Sequence, residues 1–127
     1  MSANKILIAD DEPYISRVLK LVLQKAGYEV TCVENGKQAF DAYLNMRPDI
    51  LVTDVKMPQM TGRELVERIR LIENDDVTPV VVMTSTLESE NRDWVTDVEK
   101  VSFLGKPVSP RELVRVVNSY FTHSKAS

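Results

Sequence analysis

Short apolar runs alternate along this chain with longer stretches whose apolar residues recur every three or four positions. The short runs are Lys5–Ala9 (KILIA), Glu29–Val33 (EVTCV), Ile50–Thr53, Val80–Met83 (VVVM) and Val101–Leu104. They are rich in Val and Ile and almost continuously apolar, which reads as strands of a parallel sheet covered on both faces. Between the first two runs, Ile15, Val18, Leu19, Val22, Leu23 and Ala26 form one stripe of an amphipathic helix, stopped by Gly27. Lys37–Met46 is predicted helical and ends ahead of Pro48, because the residue before a proline avoids helical backbone. Gly62–Asn74 carries Leu65, Ile69 and Ile72 on one face, and Glu88–Lys100 is a further predicted helix. Pro110–Phe121 has Leu113, Val116, Val117, Tyr120 and Phe121 as its stripe and Ser109 as its N-cap. Thr122–Ser127 is predicted to fray.

Strand and helix thus alternate through five units, which predicts a doubly wound α/β sandwich. Residues 1–127 are expected to form one domain with its core in about 5–121, since neither a repeat nor a linker-like tract interrupts them. Composition agrees: at 43% hydrophobic and 28% charged, the chain can build an ordinary core. A net charge of −3 without a basic cluster argues against direct nucleic-acid binding. A single cysteine, Cys32, rules out an internal disulfide and suits a reducing compartment. With neither a signal-peptide pattern nor an apolar stretch of about 20 residues, no membrane contact is expected and the cytoplasm is the expected location.

Function is read from the residues just past each strand, because an open parallel sheet binds ligands at the carboxyl ends of its strands. The first strand runs into Asp10-Asp11-Glu12, the third into Asp54, the fourth into Thr84-Ser85, and the fifth stops just before Lys106-Pro107. Carboxylates held this close repel one another and call for a cation. An all-oxygen set of few carboxylates suits a hard ion such as Mg²⁺. A lysine and a hydroxyl beside it suit phosphate oxygens. One carboxylate is then placed to act as nucleophile and form an acyl phosphate.

The stretches ILIADDEP (residues 6–13), DVKMPQMTG (54–62), VVVMTS (80–85) and FLGKP (103–107), in this order, resemble the receiver domain of two-component response regulators, the CheY-like superfamily. The resemblance runs from Lys5 to Phe121. It implies a flavodoxin-like (βα)5 three-layer sandwich whose five-stranded parallel sheet has the order 2-1-3-4-5. It implies Asp54 as phospho-acceptor, with Mg²⁺ (or Mn²⁺) held by Asp11, Asp54, the backbone carbonyl of Lys56 and, through a water, Asp10. It further implies that Lys106 pairs with the phosphoryl group, that Thr84 hydrogen-bonds it, that Phe103 is the switch aromatic, and that Pro107 follows a cis peptide. The implied partners are a histidine kinase or histidine phosphotransfer protein on one side. On the other stands an output domain or protein outside this chain, reached through the surface of the fourth predicted helix, fifth strand and fifth predicted helix.

Some positions depart from the commonest receiver pattern. Lys56 and Thr86 flank the path of a water that would attack the phosphoryl group, and Ser85 stands where a smaller residue is common. Charged Lys56 cannot accept a hydrogen bond from that water. It is free to meet a phosphate oxygen or an acid such as Glu12, and slow self-dephosphorylation is expected. Thr61 replaces an acid before Gly62, and DVEKV (97–101) lacks the Gly-Ala that often precedes the fifth strand. Two other readings stand beside the receiver. A phosphatase of the haloacid-dehalogenase type needs an acid where Lys56 stands. A degenerate receiver that only binds partners would lack the chemistry whose residues are all present. Cys32, Met57, Met60 and Trp94 (spaced with Leu87, Val98 and Val101) read as packing residues, and His123 as an isolated tail residue.

Overall fold

The computed structural model describes residues 4–72, 77–85 and 100–126, with 122–126 by backbone only. Its strands are β1 (Lys5–Ala9), β2 (Glu29–Val33), β3 (Ile50–Asp54), β4 (Val80–Thr84) and β5 (Val101–Gly105). The helices among the described residues are α1 (Pro13–Lys25), α2 (Gly36–Met46), α3 (Gly62–Ile72) and α4 (Pro110–Ala126). All strand pairs are parallel and the sheet order is β2-β1-β3-β4-β5, the predicted doubly wound arrangement.

Successive strand residues point to opposite faces, and each face builds its own core. Leu7, Leu51, Val80 and Val82 pack with Ala39 and Tyr43 of α2 and with Leu65 and Ile69 of α3. Ile6, Ile8, Ile50, Val52, Val81 and Met83 pack with Leu19 and Leu23 of α1 and with Leu113 and Val117 of α4. Each fully buried Val, Leu, Ile or Met among them contributes roughly 1.5–3 kcal/mol. The half-buried Cys32, Val116, Tyr120 and Phe121 border the second core. Met57 and Met60 join the first core, so the loop after β3 is anchored from within.

Local signals set the element ends. The Gly27 N–H donates to Gln24 O at 3.0 Å and the Tyr28 N–H to Leu23 O at 3.1 Å, with Gly27 at φ +103°. This is the left-handed closure of α1 that glycine allows. The Asn35 side chain accepts from Gln38 N–H at 2.8 Å and starts α2, and Ser109 Oγ accepts from Glu112 N–H at 3.3 Å and starts α4. At α3, Thr61 Oγ1 accepts from Glu64 N–H at 3.2 Å while Glu64 Oε1 accepts from Thr61 N–H at 3.2 Å. This is a reciprocal capping box, a more definite role for Thr61 than a turn residue.

Some element ends differ from the prediction. The final helix runs through Ala126, past its predicted end at Phe121, and nothing between Thr122 and Ala126 is a glycine or proline that would stop it. The third, fourth and fifth strands each extend one residue further than predicted, to Asp54, Thr84 and Gly105, because these residues keep their place in the ladder, Asp54 opposite Met83 and Thr84 opposite Gly105. The predicted helix Glu88–Lys100 lies outside the described residues except for Lys100, as do Trp94, Leu87, Val98 and the predicted end of α3 at Asn74.

Candidate functional site

The register of the sheet brings the predicted residues together. Ala9 pairs with Thr53, Asp54 with Met83, and Thr84 with Gly105. The residues at or just beyond these rungs, Asp10, Asp54, Thr84 and Lys106, therefore follow one another across β1, β3, β4 and β5 at one edge. β2 lies on the far side of β1 and contributes none of them. A cleft of about 300 Å³ opens at this edge, lined by Asp11, Glu12, Asp54, Lys56, Thr84, Ser85 and Lys106. Thr86 lies outside the described residues.

Lys106 is the electrostatic hinge of the cleft. Its Nζ donates to Asp54 Oδ2 at 2.7 Å and to Glu12 Oε1 at 3.2 Å. Its own N–H donates to Thr84 O at 2.7 Å, and the Lys106–Pro107 peptide is cis. Burial alone would lower the Lys106 pKa. The hydrogen bond and charge of Asp54, followed by Asp10 and Glu12, outweigh it and hold the ammonium above its ordinary value. The sequence leaves Lys56 either a phosphate oxygen or an acid such as Glu12. The structure gives Glu12 to Lys106, whose side chain is only 20% exposed and lies between two carboxylates, where a charge gains most from pairing.

Asp10 is buried at this edge, with 1% of its surface exposed. Its Oδ1 accepts from Glu12 N–H at 2.8 Å, while Oδ2 is buried and finds no hydrogen-bond partner among the described residues. Burial raises its pKa, against the lowering effects of the Glu12 N–H and Lys106. Carboxylate oxygens of Asp10, Asp11, Glu12 and Asp54 lie within 4.8 Å of one another. A divalent cation fits this set: the donors are hard oxygens, and the orphaned Asp10 Oδ2 is the kind of buried charge that a cation and its water would satisfy.

The loop between β3 and α3 is shaped by glycine. The Gly62 N–H donates to Val55 O at 2.9 Å, and a Cβ on Gly62 would collide with the Asp54 carbonyl oxygen. A Cβ on Gly36 would likewise run into the Met60 carbonyl. Gly62 therefore supports the site directly, a role that its place at the end of one of the sequence motifs did not reveal. Phe103 is half-buried against the α2–α3 core and pairs in register with Val82, two rungs from the Thr84–Gly105 pair.

Known proteins match this architecture. The sequence model of the response regulator receiver domain matches residues 6–118. The phosphate regulon transcriptional regulatory protein PhoB of Pseudomonas aeruginosa is 34% identical over 114 residues, covering 90% of this chain and 50% of that protein. The chain thus spans half the length of that relative. Among solved structures, the chemotaxis response regulator CheY4 of Vibrio cholerae superposes with a TM-score of 0.85 at 30% identity, over 93% of this chain and 98% of that one. The receiver domain of the sensor histidine kinase PA1611 of Pseudomonas aeruginosa, solved with a magnesium ion coordinated in its active site cleft, superposes with a TM-score of 0.81 at 27% identity, over 93% and 97% of the two chains. This chain belongs to the response regulator receiver domain family, a signalling module of two-component systems. No helix among the described residues is long and apolar enough to cross a membrane.

Proposed function

We propose that this chain is one phospho-accepting receiver domain in which Asp54 takes a phosphoryl group from the phosphohistidine of a histidine kinase or phosphotransfer protein. The observation that carries the reading is the Lys106 Nζ–Asp54 Oδ2 contact of 2.7 Å at a cleft whose four carboxylates lie within 4.8 Å of one another. Asp11, Asp54 and the Lys56 carbonyl are the ligands assigned to Mg²⁺, or Mn²⁺ in its place, with Asp10 acting through a water. The magnesium in the PA1611 receiver supports that choice of metal. When bound, the ion neutralises charge on the transferring phosphoryl group.

The remaining chemistry belongs to the chain. An Asp54 carboxylate oxygen attacks phosphorus in line, a P–O bond forms, and the P–N bond to the donor imidazole breaks with its electron pair going to nitrogen. Lys106 leaves its carboxylate partner to meet a phosphoryl oxygen, and the Thr84 hydroxyl donates to another. Ser85 borders the pocket. Lys56 and Thr86 tune how long the acyl phosphate lasts. Drawing Thr84 inward vacates space that Phe103 fills, which repacks the surface around β5 and α4 for an output domain or protein outside this chain. A switch of this kind need only bias two pre-existing states by a few kcal/mol.

On this reading the protein works in the cytoplasm and turns over no substrate other than its own phosphoryl group. The PhoB likeness supports an output in transcription carried by a part this chain does not contain. The test is incubation with acetyl phosphate and Mg²⁺ followed by intact-mass measurement. One phosphoryl group is expected on the wild type and none on Asp54→Asn. An unlabelled wild type would make the chain a phosphorylation-independent interaction module. Steady hydrolysis of a generic phosphomonoester would make it a phosphatase.

A further inference from the structure

Glu12 occupies the N-cap of α1 with extended backbone (φ −104°, ψ 100°), yet its side chain makes no capping hydrogen bond. The side chain leans over the cleft instead, and Oε1 accepts from Lys106 Nζ at 3.2 Å. The same ammonium donates to Asp54 Oδ2 at 2.7 Å. Lys106 is therefore shared between the proposed acceptor and a second carboxylate on a different loop. Proline at the first position of α1 removes one N–H that a cap would serve, which frees Glu12 from capping duty at little cost to the helix.

We infer that Glu12 is a positioning residue that competes with the incoming phosphoryl group for Lys106. The inference rests on the receiver reading of Asp54. In the unphosphorylated protein Lys106 bridges two carboxylates. A phosphoryl group on Asp54 needs that ammonium, so the Glu12–Lys106 contact must loosen as transfer proceeds, and the strength of this contact sets how readily a donor is accepted. Glu12 also places a negative charge beside the path of an anionic donor. With its side chain 56% exposed, the contact is partly screened, and its effect on donor use is expected to be about two- to fivefold.

The test uses Glu12→Gln, which removes the charge, and Glu12→Asp, which keeps the charge but is one methylene short of Nζ. Both retain the fold, since Glu12 caps nothing, and Glu12→Asp adds a side chain that caps well. In metal-free protein, the NMR signal of the Lys106 ammonium should move in both variants. With Mg²⁺, the acetyl phosphate concentration for half-maximal labelling of Asp54 should fall about two- to fivefold in both variants.

Wild-type behaviour of Glu12→Asp beside a changed Glu12→Gln would assign the effect to charge alone and overturn the inference. An unmoved ammonium signal, or a half-maximal concentration that stays or rises in both variants, would overturn it as well. These failures leave the proposed function standing, because the wild type still labels. A wild type that fails to label removes both.

Discussion

Gly62 lies flush against the backbone of Asp54: its N–H donates to Val55 O at 2.9 Å, and there is no room for a Cβ before the Asp54 carbonyl oxygen. Gly62→Ala must therefore displace either the α3 N-terminus or the strand end that carries the proposed acceptor. Backbone atoms cannot step aside as a flexible side chain would, and overpacking of this sort costs roughly 1–3 kcal/mol. Urea unfolding should show that loss, and acetyl phosphate labelling of Asp54 should fall even under conditions where the variant remains folded.

Asp10 predicts an unusual pH dependence. Burial raises its pKa above the ordinary value of 3.8, so the folded state binds its proton more tightly than the unfolded state does. Its contribution to stability is thus fully present below 3.8 and is lost as pH rises through the raised folded value. In chelator-treated protein at neutral pH, Asp10→Asn should be more stable than the wild type by about 1–3 kcal/mol, the range for relieving an unsatisfied buried polar group. The gap should close as the pH falls below 3.8. Added Mg²⁺ should narrow it at neutral pH by stabilising the wild type. Denaturant midpoints across pH, with and without the ion, measure all three effects.

Lys56 is exposed, lines the cleft and sits two residues past Asp54. Its ammonium offers donors only, so it cannot orient a water for attack on the phosphoryl group by accepting its proton. The phosphorylated protein should decay over minutes or longer rather than seconds, and Lys56→Ala should decay at least as fast as the wild type. Intact-mass measurement after removal of the donor tracks both. A Lys56→Ala variant that decays more slowly would give Lys56 the opposite role.

Phe103 on β5 packs against the α2–α3 core, and the proposed switch runs through it. Phe103→Ala should cost less than the roughly 3–5 kcal/mol of a fully buried phenylalanine, because the ring is only half-buried. The informative readout is partner binding with and without a phosphoryl mimic at Asp54. The variant should lose the difference between the two states while keeping the weaker affinity. An undiminished difference would place the lever elsewhere.

Much of this was legible in one dimension. The period-2 and period-3.6 patterns belong to the backbone itself, so Ile8 or Leu19 declares its element without reference to anything distant. Alternation of strands and helices then leaves few arrangements, and in a parallel sheet every strand ends at the same edge. That is why Asp10, Asp54, Thr84 and Lys106 could be assembled from spacing alone. The Thr61–Glu64 capping box is also local, written in the sequence as T-x-x-E.

What the tertiary structure alone decided is how these groups share charge and space. Lys106 and Glu12 are 94 residues apart, and no local pattern says which lysine a given acid will meet. The answer depends on where burial makes pairing most valuable, and it favours Lys106 over Lys56. The orphaned Asp10 Oδ2 and the contact of Gly62 with the Asp54 carbonyl are likewise matters of three-dimensional packing. The sequence by itself determined the fold and the chemical groups at the sheet edge, since both arise from local periodicity and strand direction. The structure decided their pairings, since electrostatics and close contact act through space between residues far apart in the chain.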